Sequence, residues 1–262
     1  MLSAVGDTVQ VLPVVSALRR TFPETHLSWV RQPEALSLVR NHPGVDEFVP
    51  FQRSGRGKNL RALLSGLGGI RSTTRSLREM ASRQPGGRFD LLLDLQVYLK
   101  AGLLTARAPA AVKVGFDRRR SHDLNRLFIT HPIPAHPHGF GHIQDQYFEF
   151  LHFIGVNPAP LEYGLSLSGE ERESQRSFFS SLDRRACALV LGSSDPRKNW
   201  SPKGYAEVAS RLRSDWEMQP ILVGGCSEEE EKAAKVVLSH PGAGVIDARG
   251  GGLRRLLWLL EG

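Results

Sequence analysis

Short apolar runs alternate with amphipathic stretches along almost the whole of this 262-residue sequence. A strand buried in a parallel sheet gives a short apolar run, whereas a helix that covers the sheet shows apolar residues at intervals of three and four. Their alternation is typical of β-α units, so the sequence predicts an α/β fold with parallel sheets. The expected strands are 26–30, 45–49, 89–95, 112–116, 186–192, 220–223 and 245–247, and the expected helices are 8–20, 59–67, 98–106, 142–154, 202–213 and 228–238.

Two domains are expected. The stretch 157–185 begins with Pro158 and Pro160 and becomes polar and charged from Ser168, which is typical of a segment between domains. The residues before it, 1–156, would form one domain. The residues after it, 186–262, would form a smaller domain in which three strands are visible.

Composition argues against several classes of protein. The chain is 40% hydrophobic and 23% charged, as ordinary globular proteins are. No apolar run approaches the roughly 20 residues of a membrane-spanning helix, and the N-terminus lacks the pattern of a signal peptide, so the expected location is the cytoplasm. Cys187 and Cys226 are too few for a disulfide framework and are not spaced as zinc ligands. We expect two buried apolar thiols.

The positive charge is concentrated in one segment, 52–88. It contains nine Lys or Arg residues and one acid, Glu79, so it carries +8 whereas the whole chain carries +7. A local basic patch indicates an anionic partner, which can be nucleic acid, a phosphorylated glycolipid or a membrane surface. A solvated, arginine-rich insertion explains the charge equally well. The segment has no aromatic residue to stack on bases, so binding to nucleic acid is not expected.

The first motif with chemical meaning is Gly6-Asp7, directly before the first expected helix. In α/β proteins the loop after the first strand opens onto the ligand crevice, and a glycine there lets the backbone approach a ligand closely. Asp7 could act as a general base that takes a proton from an attacking hydroxyl. It could also simply cap the helix, and the residues alone favour the cap.

The second motif is the loop 192–202, which follows an expected strand and enters a helix at Ser201-Pro202. Ser193 and Ser194 are small and carry hydroxyls, and Lys198 is a cation. Such a loop suits a diphosphate, because backbone donors and the helix N-terminus receive the anion while the lysine stabilises charge on a leaving group. A solvated lysine is the alternative for Lys198.

The third motif follows the next expected strand, at 224–228. Ser227 and Glu230 fit a capping box, which accounts for the serine without any ligand. Glu228 either favours the helix dipole or accepts hydrogen bonds from a ribose diol. No carboxylate pair suits a divalent ion, and the positive loop around Lys198 can do the same electrostatic task, so neither a metal nor a cofactor is expected.

Together the three motifs resemble the ADP-heptose:lipopolysaccharide heptosyltransferases, the family-nine glycosyltransferases. The match is carried by 2–13 with Gly6-Asp7, by Gly192-Ser193-Ser194 with Lys198-x-Trp200, and by Glu228. The resemblance implies a GT-B fold, in which two Rossmann-like domains face each other across a cleft. It also implies inverting transfer of a heptose from an ADP-sugar to the inner core of lipopolysaccharide.

The resemblance assigns roles to individual residues. The acceptor would lie on the N-terminal domain and the donor nucleotide on the C-terminal one. Segment 52–88 would contact the anionic acceptor and the inner face of the inner membrane. The implied catalytic base is Asp7, the donor residues are Ser193, Ser194, Lys198 and Glu228, and the acceptor-side residues are Gly6, Arg118, Arg120 and His142.

Two departures from the family pattern concern the ends of the chain. Family members place an apolar first strand before the residues that match Ser3 to Asp7, where this chain has only Met1-Leu2. They also continue past the residue that matches Gly262 into a strand and an Asp-Thr-Gly-x-x-His loop. We therefore expect a chain cut short at both ends, with the first strand missing and the C-terminal domain incomplete. A non-catalytic binder of a nucleotide-sugar or glycolipid is the alternative function.

Overall fold

The computed structural model describes residues 5–51, 60–122, 124–135, 141–193 and 195–262. The chain divides into two compact units, Met1–Leu165 and Ser166–Gly262. All the strand pairs described in both units are parallel. The predicted α/β class with parallel sheets is therefore confirmed.

The first unit contains two sheets, one formed by β1 and β2 and the other ordered β3-β4-β5. A 3₁₀ helix, Asn125–Phe128, precedes β5. The other elements are α1 (Val5–Thr21), β1 (Ser28–Arg31), α2 (Pro33–Val39), β2 (Glu47–Pro50), α3 (Leu60–Ser82), β3 (Phe89–Asp94), α4 (Leu99–Arg107), β4 (Ala110–Phe116), β5 (His131–Ile133) and α5 (Ile143–Phe153).

Helix α3 lies in the basic segment, and it extends well beyond the predicted end at residue 67. The expectation stopped before Gly68 and Gly69, which weaken helices. Ile70, Leu77 and Met80 nevertheless continue an apolar face that is buried against β2 and α4. Burial of that face stabilises the helix past the glycines, as is general for amphipathic helices.

The second unit has one sheet, ordered β6-β7-β8. Every residue of the central strand β7 is buried, and helices cover both faces of the sheet. The elements are α6 (Gly169–Ser180), β6 (Ala186–Val190), α7 (Pro202–Asp215), β7 (Gln219–Val223), α8 (Glu228–Leu238), β8 (Ile246–Asp247) and α9 (Gly252–Glu261).

Helix α6 lies within 157–185, where the sequence analysis assigned no element. Ser168 and Glu171 form a capping box at its start, and Arg254 of α9 donates hydrogen bonds to the Glu171 carboxylate. The rings of Phe178 and Trp258 meet edge to face at 5.8 Å. These contacts hold a polar helix that has no continuous apolar face, which is why periodicity did not reveal it.

One prediction about the cysteines is wrong. Cys226 is exposed, because it lies in the loop between β7 and α8, and Cys187 on β6 is partly buried. Both thiols are free. Within the described ranges no helix is long and apolar enough to cross a membrane.

Candidate active site

Asp7 lies in the first turn of α1, two residues after Val5, so it is inside the helix and cannot be its cap. The acidic side chain still favours the helix dipole at this end. Asp7 is partly buried, and a Cβ built on Gly6 would meet no atom within 4 Å. The backbone beside Asp7 is therefore open enough for a ligand to approach.

Arg31 is a charged residue near Asp7 that the sequence analysis missed. It ends β1, is 0% exposed, and its guanidinium donates a hydrogen bond to the Thr8 hydroxyl of α1. The guanidinium carbon also lies 5.1 Å from the centre of the Trp29 ring. Burial lowers the pKa of Arg31 to about 10, and the negative charge of Asp7 opposes that shift. Because a buried cation is costly unless it is compensated, Asp7 contributes to holding Arg31 in its charged form.

Tyr147 of α5 is the second missed neighbour of Asp7. Its side chain is buried, and burial followed by the charge of Asp7 raises the pKa of its phenol. Asp7 thus interacts electrostatically with a buried cation from β1 and a buried phenol from α5. The sequence contained only weak indications of these two residues, since Arg31 simply ends a short apolar strand and Tyr147 lies in an apolar helix face.

Arg118 and Arg120 occupy the turn after β4, but their environments differ sharply. The Arg120 side chain is only 3% exposed, and it donates hydrogen bonds to the carboxylate of Glu149 at 2.6 Å and to the carbonyl oxygens of Ile133 and Pro134. These contacts give Arg120 a structural role that joins β4, β5 and α5. Arg118 is exposed. Acceptor binding by either residue stays a prediction.

His142 is the N-cap of α5. The exposed imidazole accepts a hydrogen bond through Nδ1 from the backbone N–H of Gln144, at 3.2 Å. This contact explains a histidine at the position without any ligand. The acceptor-side role of His142 stays a prediction.

The loop after β6 carries the residues predicted to hold a diphosphate. The Ser193 backbone N–H donates to the Asn199 side chain at 2.8 Å, and the Ser193 hydroxyl donates to the carbonyl oxygen of Asp195 at 2.7 Å. Ser194 lies outside the described residues. A short 3₁₀ helix, Pro196–Lys198, follows, and Ser201 then caps α7 as predicted. The loop is thus shaped by its own polar side chains.

Two neighbouring cations in this loop are used differently. Arg197 donates two hydrogen bonds to the Asp195 carboxylate, from Nε at 3.0 Å and from Nη2 at 2.8 Å. The hydrogen bonds from Arg197 lower the pKa of Asp195. Lys198 is exposed and forms no ion pair with the residues that the structure describes. Lys198 is therefore the cation that an incoming anion can recruit.

Glu230 joins the loops after β6 and β7. Its carboxylate accepts hydrogen bonds from the backbone N–H groups of Gly225 at 3.1 Å and Ser227 at 3.0 Å, and the predicted capping box is confirmed. A Cβ at Gly192 would lie 2.4 Å from the Glu230 side chain, so only glycine fits there. Burial alone would raise the pKa of Glu230, but the hydrogen bonds from Ser227 and Gly225 lower it.

Glu228 points into solvent, with its side chain 78% exposed and 2.6 Å from the ammonium of Lys232 one turn later. It begins α8, at the same sheet edge as the Gly192 loop. An exposed pair of this kind contributes little to stability, and it can open without much cost. Nucleoside binding by Glu228 stays a prediction that this position permits.

A third loop, after β8, completes the edge. Gly250, Gly251 and Gly252 all have positive φ, at 82°, 73° and 78°, and the Gly250 N–H donates to the Gly224 carbonyl oxygen at 2.9 Å. The Arg249 side chain is 5% exposed and forms ion pairs with Asp247 and Glu231. Ligands of open α/β sheets bind outside the carboxyl ends of the strands, which is where these three glycine-rich loops lie. The described residues contain no group of three His, Cys, Asp or Glu side chains that could hold a metal ion.

Residues 76–245 match glycosyltransferase family 9 (heptosyltransferase). This chain belongs to glycosyltransferase family 9. The matched residues include all of 192–202 and 224–230 and the turn with Arg118 and Arg120, whereas Asp7 lies before them. The family match therefore covers the loops after β6 and β7, whose donor-binding role stays a prediction, and Asp7 lies outside it.

Among curated relatives, the lipopolysaccharide core heptosyltransferase OpsX of Haemophilus influenzae is 28% identical over 211 residues, or 80% of this chain and 54% of the relative. The family-nine chain thus spans about half the length of that relative. A glycosyltransferase of family 9 from Veillonella parvula has a TM-score of 0.77 at 21% identity, with 98% of this chain and 71% of that chain covered.

Two structures from E. coli give the same result. Heptosyltransferase WaaC with ADP has a TM-score of 0.72 at 18% identity, with 100% of this chain and 76% of that chain covered. ADP-heptose lipopolysaccharide heptosyltransferase II has a TM-score of 0.70 at 21% identity, with 98% and 74% covered. At these identities the likeness establishes the fold, which is the predicted GT-B type of the family-nine glycosyltransferases.

Proposed function

We propose that the protein transfers a heptose from an ADP-sugar to a hydroxyl of the inner core of lipopolysaccharide, with inversion and without a metal ion. The observation that carries the proposal is the carboxyl edge of the β6-β7-β8 sheet, where three glycine-containing loops lie and the loop after β6 carries the exposed cation Lys198. The relatives support it, since OpsX is a core heptosyltransferase and WaaC was solved with ADP.

The donor would bind through the C-terminal domain, 186–262. The loops after β6, β7 and β8 would lie around the diphosphate, and the N-terminus of α7 at Ser201-Pro202 would supply backbone N–H groups to it. Lys198 would meet the phosphate that becomes the leaving group, since, unlike Arg197, it has no ion pair among the described residues to break first. A cation at this point stabilises the negative charge that develops as ADP departs, which is the task a metal ion performs elsewhere. Glu228 would contact the ribose.

The acceptor would bind through the N-terminal domain, 1–156, with Asp7 as base. As the acceptor oxygen attacks the anomeric carbon, Asp7 takes the proton from that hydroxyl and the bond from carbon to the ADP oxygen breaks. One displacement of this kind inverts the anomeric centre. Arg31 and Tyr147 give the carboxylate fixed surroundings, which proton transfer requires because a general base must be held within hydrogen-bond reach.

The basic segment 52–88 would bind the anionic acceptor and the inner face of the inner membrane. The proposed location is therefore the cytoplasm, with peripheral contact at that membrane face. Residues 52–59 lie outside the described part. On α3, Arg71, Arg75 and Arg78 are exposed at spacings of four and three, so they share one face.

Reversal of these three charges should raise the KM for the acceptor and leave the KM for the donor unchanged. Because exposed charges are screened beyond roughly 10 Å at 0.1 M salt, the difference should shrink as salt is added.

The test is a transfer assay with ADP-heptose and a deep-rough lipopolysaccharide acceptor, run with a chelator present. Mass spectrometry of the product should show one added heptose, and NMR should show the inverted anomeric configuration. Binding of ADP without transfer would favour the alternative, a non-catalytic binder of a nucleotide-sugar or glycolipid. A protein that neither binds ADP nor transfers heptose would contradict the proposal.

A further inference from the structure

A hollow of about 540 Å³ lies in the second unit, at the amino ends of β6 and β7, and we call it the amino-edge hollow. It is lined by three residues directly before β6 and three directly before β7: Asp183, Arg184, Arg185, Trp216, Glu217 and Met218. The candidate donor loops follow the opposite ends of the same strands. Because β6 is five residues long, the two edges lie roughly 16 Å apart, so the hollow is separate from the candidate donor site.

Trp216 gives the amino-edge hollow an exposed aromatic surface. The residue is 73% exposed, the highest value among the large apolar residues that the structure describes. Tryptophan is highly buried on average in folded proteins, so exposure to this extent needs an explanation. Its ring offers a wide apolar face and an N–H at its edge, which together suit a ligand that is apolar on one side and polar at its rim.

The turn that presents Trp216 is closed by a backbone hydrogen bond. Trp216 ends α7, and Glu217 follows it with a φ of 52°, which is rare for a residue other than glycine. The N–H of Met218 then donates to the carbonyl oxygen of Leu212 at 2.9 Å. The exposure of the indole is therefore a feature of an ordered turn.

Hydrogen bonds also join the two walls of the hollow. Arg184 donates through Nη1 to the carbonyl oxygen of Arg213 in α7, at 3.3 Å. The backbone N–H of Gln219 donates to the carbonyl oxygen of Arg185 at 2.8 Å. The segment before β6 and the turn after α7 are thus tied together, so the hollow is formed before any ligand binds.

The charged side chains around the hollow are balanced. Asp183 and Glu217 contribute two carboxylates, Arg184 and Arg185 contribute two guanidinium groups, and Arg184 Nε lies 3.9 Å from the Asp183 carboxylate. A lining without net charge does not select an anion or a cation. Carboxylates accept hydrogen bonds and guanidinium groups donate them, whereas a hydroxyl group does both. The lining therefore matches a neutral ligand that carries several hydroxyl groups.

A pyranose ring meets both requirements, since it has an apolar face of C–H groups and hydroxyl groups around its edge. The volume of the hollow lies within the roughly 300–1,000 Å³ that is usual for small-ligand sites. A protein partner is disfavoured, because only Trp216 and Met218 of the lining residues are apolar, and the core of a protein interface is depleted of charged residues.

We propose that the amino-edge hollow is a carbohydrate-binding site in which a pyranose ring stacks on Trp216 and its hydroxyl groups bond the four charged side chains. The site holds a saccharide without changing it chemically. It uses none of the residues proposed for the donor, the acceptor or the base. A chain without transfer activity should therefore still bind the saccharide.

Fluorine NMR of the full chain labelled with fluorotryptophan tests the site. The chain has four tryptophans, and the Trp216→Phe variant identifies the Trp216 resonance. Mannose and a lipid-free lipopolysaccharide core oligosaccharide should shift that resonance in a saturable way. Sorbitol, which has hydroxyl groups but no ring, and inorganic phosphate should not. Mannose should leave the resonance of Trp200, 55% exposed in the loop after β6, unchanged.

Saturation-transfer NMR of mannose measures the variants. Trp216→Ala should bind mannose about tenfold or more weakly, because the stacked ring and its apolar contact are lost, and Trp200→Phe should bind it as the parent does. Glu217→Asn removes a carboxylate and tolerates the positive φ, so it should weaken binding by about threefold to tenfold. Circular dichroism confirms that each variant is folded.

The proposal would be overturned by any of three results. One is a Trp216 resonance that neither saccharide shifts, or that sorbitol or phosphate shifts as much. Another is unchanged affinity for mannose in the folded Trp216→Ala variant. The third is a Trp216 resonance that responds to protein concentration and not to saccharide, which would make the hollow a contact between chains.

Discussion

The surroundings of Asp7 and the loops after β6 and β7 differ in how they present their charged residues. Asp7 is partly buried in a helix and interacts with a fully buried guanidinium and a buried phenol. Lys198 and Glu228 are exposed, one in the loop after β6 and the other at the start of α8. A proton acceptor needs a fixed position, whereas a site for a diphosphate needs room and cations that are still available.

The largest effect is expected for Asp7→Asn, which keeps the size of the side chain and removes its basicity. The transfer rate should fall roughly 100-fold to 10,000-fold, the usual loss when a general base is removed. Steady-state rates at saturating donor and acceptor measure this effect. Retention of most of the rate would mean that the carboxylate serves only the helix dipole and Arg31.

The second prediction compares the two arginines after β4. Arg120→Met should lower the free energy of unfolding by about 3 kcal/mol, because Glu149 and two carbonyl oxygens lose a buried partner. Arg118→Ala, in the same turn but exposed, should change it by less than about 0.5 kcal/mol and should raise the KM for the acceptor. Urea unfolding followed by circular dichroism gives both free energies. Equal stability of the two variants would contradict the structural role of Arg120.

The third prediction uses the neighbouring cations of the β6 loop. Lys198→Ala should raise the KM for the ADP-sugar and lower kcat, together by about tenfold to a hundredfold in kcat/KM, as the loss of a charge-assisted hydrogen bond implies. Arg197→Ala is the matched control, since its guanidinium is bound to Asp195. If Arg197→Ala were the more damaging change, the diphosphate would have to be reassigned within this loop.

The smallest effect concerns the contact between α6 and α9. Hydrogen bonds from Arg254 lower the pKa of Glu171 from its ordinary value of 4.5 to about 2, against the effect of burial. A carboxyl group with a lowered pKa stabilises the fold above its unfolded value and loses that contribution as pH falls to the folded value. Glu171→Gln should therefore be less stable than the parent above pH 4.5, and the difference should vanish as pH approaches 2. Urea titrations across this range would show it, and a difference independent of pH would contradict it.

The parts that the sequence predicted are those with local signals. Helix α8 was expected at 228–238 and is found at Glu228–Leu238, because a capping box marks its start. The strands emerged from short apolar runs, with boundaries that differ from the expected ones by a few residues at most. Helix α2 and strand β5 were missed because both are short, and β5 includes Pro132.

The features that the sequence did not predict depend on contacts between elements that are distant along the chain. Arg31 is recognisable as a neighbour of Asp7 only once β1 and α1 are packed together. The same holds for Arg120, whose partners lie 13 to 29 residues further along the chain. The sequence identified Glu230 as part of a helix cap, but its contact with Gly192 could not be predicted, because that contact forms only when the loops after β6 and β7 are packed together. The motifs therefore located the candidate site, and packing distinguished its exposed side chains from its supporting ones.

The central claim is that the two regions perform separate tasks, Asp7 the proton transfer and Lys198 the binding of the donor phosphates. Isothermal titration of ADP into the parent, Asp7→Asn and Lys198→Ala tests it most directly, since the ligand carries no reacting sugar. We predict that Asp7→Asn binds ADP as the parent does, while Lys198→Ala binds it about tenfold or more weakly. Normal ADP binding by Lys198→Ala, or loss of ADP binding in a folded Asp7→Asn variant, would contradict this division of tasks.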